Sequence, residues 1–162
     1  MLGDGGMQHD LYLARLSAND AGQGRFAGLE WCSGSGWQRE ASRRRPVIRA
    51  AGTESSLQRD PRGGGFLEIN SQGFGATDIV MRRAPRLEGP WGGPKKIYRP
   101  PESDEPEPFV YAGKSHPELK GADLVLTYAA NGNDKKLLAD MNLYFPRFAK
   151  VNLRSETKAQ AK

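Results

Sequence analysis

The chain has 162 residues, 37% of them hydrophobic, with 20 Gly, 11 Pro and a formal net charge of +5; this suffices for one domain with its own core and favours short strands and tight turns over a helical bundle. No apolar run approaches the roughly 18 residues of a membrane span, and the single Cys32 excludes an intrachain disulfide framework and an all-cysteine metal site. Acidic residues are interspersed among the basic ones, which is not the signature of a dedicated nucleic-acid binder.

The segment Met1 to Gly6 has no charged region followed by an apolar stretch, so no signal peptide is read there. Residues 1–9 are expected to be a disordered leader. Asp10 to Arg15 reads as a strand and matches Asp78 to Arg83 in pattern: an Asp, a short apolar run, then Arg. Nothing strand-like precedes the first copy, so an inner strand is expected to be missing there. Ser17 to Gly24 reads as a loop or hairpin. Arg25 to Trp31 then reads as an outer strand closed by Gly36 and Trp37, and Arg39 to Arg45 as a basic connector.

Gly52 to Leu57 and Gly113 to Leu119 say nearly the same thing about 60 residues apart. Each leads through a turn into a short apolar strand, Phe66 to Asn70 in one case and Leu124 to Tyr128 in the other. Self-similarity of this kind in an all-β pattern points to propeller blades. The second copy continues through Leu87 to Trp91 into Lys96 to Tyr98, and the Pro-rich stretch Pro100 to Pro108 reads as a surface crossing. In the third copy Asn131 to Asp134 carries the Asn-Gly hairpin signal, and Tyr144 to Leu153 closes the blade. Blade remnants are therefore expected at 10–48, 52–99 and 110–153, within a partial propeller over 10–153, and 154–162 as a polar tail. That is about two and a half blades, where a closed propeller has typically four to eight. Such a chain is either part of a longer protein or has its edges covered by another copy.

Innermost strands start near a propeller's axis, so Glu54 and His116 are candidates for one shallow site. Glu54 reads as a general acid or as a polar start to a strand, and His116 with Glu118 as substrate or ion contacts or as a polar turn fixed by Pro117. Trp31, Trp37 and Trp91 could stack on sugars, but the recurrence of Trp37 and Trp91 at blade ends favours packing between blades. Tyr128, Asn131 and Arg147 read as structural. Arg39, Arg43, Arg44, Arg45 and Arg49 lack the interleaved aromatics of a single-strand platform. Gly63 to Gly65 precedes a strand, not a helix, so it is no phosphate loop.

Phe74 to Ala84 followed by Leu87-Glu88-Gly89-Pro90-Trp91 resembles the blade ending of five-bladed propellers in the glycoside hydrolase family 43 superfamily. Ala112 to Leu119, Leu126 to Asn131 and Tyr144 to Phe148 resemble the C-terminal half of propeller domains of unknown function, some of them arabinan hydrolases. The resemblance implies an all-β fold, an incomplete five-bladed β-propeller with four-stranded blades. It also implies hydrolysis of a glycosidic bond in a polysaccharide or oligosaccharide by separated carboxylates. Glu54 then matches the acid, Ser55, His116 and Glu118 lie where substrate binds, and an ion near His116 is the one cofactor it suggests. The first-blade Asp that would act as base has no counterpart, so this chain alone is expected to be inactive. The full-length parent is expected to be secreted, with no membrane or nucleic-acid partner. A non-catalytic carbohydrate-binding or scaffold propeller is the competing reading.

Overall fold

The computed structural model describes residues 9–52, 54–73, 77–106, 109–119 and 124–153. The expected leader, apart from His9, and the expected tail lie outside these residues. The described chain is an all-β, propeller-like fold of short antiparallel sheets with few helical turns.

The second blade is a four-stranded meander of β6 (Ser55–Arg59), β7 (Phe66–Ser71), β8 (Ile79–Ala84) and β9 (Lys95–Tyr98). The third blade has β10 (Phe109–Ser115), β11 (Leu124–Asn131) and β12 (Arg147–Val151) in that order. The first blade is built from β1 (His9–Tyr12), β2 (Ala14–Arg15), β3 (Glu30–Cys32) and β4 (Trp37–Gln38), with β5 (Pro46–Ala51) paired to β1. The sequence reading expects the inner strand of this blade to be missing, and β5, from later in the chain, pairs with β1 instead. Leu11 faces Ile48 and His9 faces Ala51, so a segment beyond the basic connector supplies the missing pairing. It also extends the blade past residue 48 and takes His9 out of the leader.

Two other readings change. Ser17 caps a helical turn, α1 (Ala18–Gly22), because its hydroxyl oxygen accepts from the Asp20 N–H at 3.1 Å. After Asn131 the chain does not turn straight back. The Asn131 side chain accepts from the Gly132 N–H at 2.8 Å, and the chain enters α2 (Asp134–Ala139) before β12. An Asn-Gly pair specifies a tight hairpin only when both strands flank it directly.

Strand alternation gives the second blade two unlike faces. Leu67, Ile69, Ile79 and Met81 are fully buried against the third blade, where they meet Val110, Leu124, Leu126 and Tyr128 in one core. Each such side chain contributes about 1.5–3 kcal/mol. Of the intervening positions, Glu68, Asn70 and Arg82 are as deeply buried but polar, and Val80 is apolar. That face meets the first blade: the Arg82 guanidinium donates to the Ala50 carbonyl at 3.4 Å, and a Cβ on Gly52 would lie 3.1 Å from Asn70 Nδ2.

Ala50 and Ala112 both adopt left-handed backbone, with φ of 50° and 55°. For an alanine this costs about 1–2 kcal/mol, so the surroundings must hold it. Ala50 is held at both ends, its N–H by Asp10 Oδ1 at 3.2 Å and its carbonyl by Arg82. At Ala112 the β10–β11 register shifts, and the bulge turns the Gly113 N–H towards Ser71 Oγ at 2.8 Å. A Cβ on Gly113 would sit 2.6 Å from that hydroxyl.

Candidate functional site

The inner strands β6 and β10 are joined by side chains, not by a backbone ladder. Gly113 bonds to Ser71, which lies opposite the start of β6, while Ser115 bonds to Ser56 and Gln58 further along. The two strands therefore run the same way. Glu54 stands just before β6, its side chain exposed, and Ser55 opens the strand half-buried, opposite Asn70.

His116 lies just beyond the other end of β10. The Ala112 bulge and the turn that follows put His116, Pro117, Glu118 and Leu119 outside the strand, whereas Leu57, the residue matched to Leu119 in the repeat, sits within β6. Glu54 and His116 are thus at opposite ends of neighbouring inner strands, about three residues or roughly 10 Å apart along them. The structure brings Glu118 to His116. It does not bring Glu54 there.

His116 is held on both sides. Its Nδ1 is 2.7 Å from Glu118 Oε1 and its Nε2 is 2.6 Å from Thr127 Oγ1. With the proton on Nδ1, the ring donates to the carboxylate and Nε2 accepts from the threonine hydroxyl. The Glu118 carboxyl is held below its usual range, first by its own backbone N–H and then by His116. Phe148 flanks the imidazole, with ring centroids 6.4 Å apart. This hydroxyl–imidazole–carboxylate chain leaves neither ring nitrogen directed at a ligand. Among the described residues no three His, Cys, Asp or Glu side chains gather at metal-binding distance. The donor set around His116 does not suit an ion without rearrangement.

The other sequence candidates take structural places. Tyr128 donates to Glu102 Oε2 at 2.9 Å, and Arg147 Nε donates to Glu102 Oε1 at 3.2 Å. Trp37 lies under the Arg15 guanidinium at 4.4 Å, and Arg44 stacks on Tyr12 at 5.1 Å. Gly63 to Gly65 form the β6–β7 turn, closed by the Asp60 N–H donating to the Gly65 carbonyl at 2.9 Å. No described helix is long and apolar enough to cross a membrane.

Sequence reading did not find the buried cluster of the second blade. Arg82 Nη1 donates to Glu68 Oε2 at 2.8 Å, while Glu68 Oε1 and Asn70 Nδ2 are buried without a partner among the described residues. Burial pushes the Glu68 carboxyl above its usual range, against the pull of Arg82.

The chain belongs to the family described as "Domain of unknown function (DUF5005)", whose profile matches residues 2–153. No curated protein matches it. It shares its fold with a crystal structure described as a "putative hydrolase" from Bacteroides ovatus ATCC 8483, with a TM-score of 0.69 and 19% identity over 96% of this chain. The chain spans 42% of the length of that structure.

Proposed function

We propose that this chain forms part of a glycoside-hydrolase-like propeller that cleaves a glycosidic bond in a polysaccharide. Glu54 acts as general acid on the leaving oxygen, and Ser55, His116 and Glu118 contact the glycan. What supports this is the placement of Glu54. It is a solvent-facing carboxylate at the head of an inner strand whose neighbours are fixed by the Ser56–Ser115 and Ser71–Gly113 bonds. Rigid strands hold a proton donor better than loops do. Because both ring nitrogens of His116 are engaged, that corner offers the glycan mainly the exposed Glu118 carboxylate and the Phe148 ring. In this reading the carboxylate that activates water comes from further blades of a longer chain.

The test is reducing-sugar release from linear arabinan by the full-length protein, wild type beside Glu54→Gln. Loss of a general acid should lower kcat/KM by about 10²–10⁴-fold. Undiminished hydrolysis by the variant would remove Glu54 from the role. The separation of Glu54 from His116 favours a second reading, a propeller that binds glycan without cleaving it. That reading predicts arabinan retention with no sugar release from either form.

A further inference from the structure

A cleft of about 390 Å³ lies between β5 and the β8–β9 connection, with Arg49, Ala50, Gln72, Arg82, Trp91 and Gly92 among its lining residues. The volume is that of a small-molecule site. Gln72 is level with Asp78, to whose carbonyl it donates, and Gly92 is level with Arg83 in the same way. The span between them is on the order of 15 Å along β8, so the cleft is a trough with room for more than one sugar ring.

Its polar chemistry is cationic. Arg82, 4% exposed, lines the trough with its guanidinium fixed by Glu68 and the Ala50 carbonyl. Arg49 stands exposed beside it, loosely paired with the Asp10 carboxylate at 3.7 Å. Only one Glu68 oxygen meets Arg82, and burial favours the neutral form of that carboxyl. The guanidinium charge is therefore incompletely balanced from within, and a planar carboxylate from outside suits it. Trp91 supplies the remaining wall. Its indole N–H donates to the Leu87 carbonyl at 2.9 Å, which sets the plane of the ring, and Gly92 beside it adds no side chain. A fixed, half-exposed indole offers a flat apolar face to a sugar ring.

We propose that this trough binds an acidic saccharide, its carboxylate on Arg82 and Arg49 and a sugar ring over Trp91. The inference rests on the carbohydrate reading above and narrows the ligand class to uronate-bearing glycans.

Isothermal titration of the protein with tri-galacturonate, arabinotriose and inorganic phosphate tests it, using wild type, Arg49→Gln and Trp91→Ala. Both variants alter half-exposed or exposed side chains, and circular dichroism checks that each is folded. The expected result is tri-galacturonate binding at least about tenfold tighter than arabinotriose, weakened about tenfold by each substitution. Arabinotriose binding without tri-galacturonate binding would leave the carbohydrate reading standing and overturn this one. Binding of neither sugar would count against both. Phosphate binding as tight as tri-galacturonate, or tri-galacturonate binding indifferent to both substitutions, would reduce the trough to a general anion site or none and overturn the proposal.

Discussion

Ser56 and Ser115 join the second and third blades through two contacts: the Ser115 N–H donates to Ser56 Oγ at 2.8 Å, and the two hydroxyls lie 2.8 Å apart. Because the Ser115 hydroxyl donates to Gln58 Oε1 at 2.6 Å, the bond between hydroxyls must be donated by Ser56. Ser56→Ala therefore strands a backbone N–H as well as losing a hydroxyl, at about 1–3 kcal/mol. Ser115→Ala keeps that N–H bonded to Ser56, at about 0.5–1.5 kcal/mol. Urea unfolding of both variants should rank them in that order, and the reverse order would refute the assignment of donors.

Arg82 and Glu68 are mutually dependent. Arg82→Met leaves the buried Glu68 carboxyl without its hydrogen-bond donor and should cost about 1–3 kcal/mol, while Arg82→Met with Glu68→Leu should regain most of it. The pH dependence has a defined sign. Burial raises the folded-state pKa of Glu68, so the folded chain keeps a proton that the unfolded chain has lost. Stability should fall as pH rises from the ordinary glutamate value through the raised one, and Glu68→Gln should remove that slope. Denaturation curves at a series of pH values would show it. An unchanged slope in the variant would assign the effect to other groups.

Tyr128 is shifted upward, first by burial and then by its bond to the Glu102 carboxylate. Above the ordinary phenol value of about 10, an unfolded chain ionises this tyrosine and the folded chain does not. Stability should therefore decline with alkaline pH, and Tyr128→Phe should flatten the decline at a cost of about 1 kcal/mol at neutral pH. Unfolding midpoints between neutral and strongly alkaline pH decide it. A wild-type decline that persists unchanged in the phenylalanine variant would contradict this account.

The strands themselves were legible where apolar alternation was clean, as in Phe66–Ser71, Ile79–Ala84 and Leu124–Asn131. So was the structural use of Tyr128 and Arg147. Pro46–Ala51 was not, because its partner lies far back in the chain at His9–Tyr12 and no local pattern announces a long-range pairing. The repeat that set Glu54 beside His116 failed at the site for a similar reason. Its frame slips between the copies: Gly113 to Ser115 end β10, while Ser55 to Leu57 open β6, and the register shifts at the Ala112 bulge. The Glu68–Arg82 pair was hidden because a buried carboxyl and guanidinium in sequence look like two surface charges. Only the stacking of blades tells which face of a strand is dry.

The two faces of the second blade make its two seams answer to different solvents. The seam to the third blade rests on apolar area beside a few serine hydrogen bonds, so urea and cold weaken it. The seam to the first blade leans on a guanidinium, a carboxyl and strained backbone at Ala50, so it answers to acidity and to ligands carrying charge. A single sheet thereby couples an interface tuned by hydration to one tuned by protons.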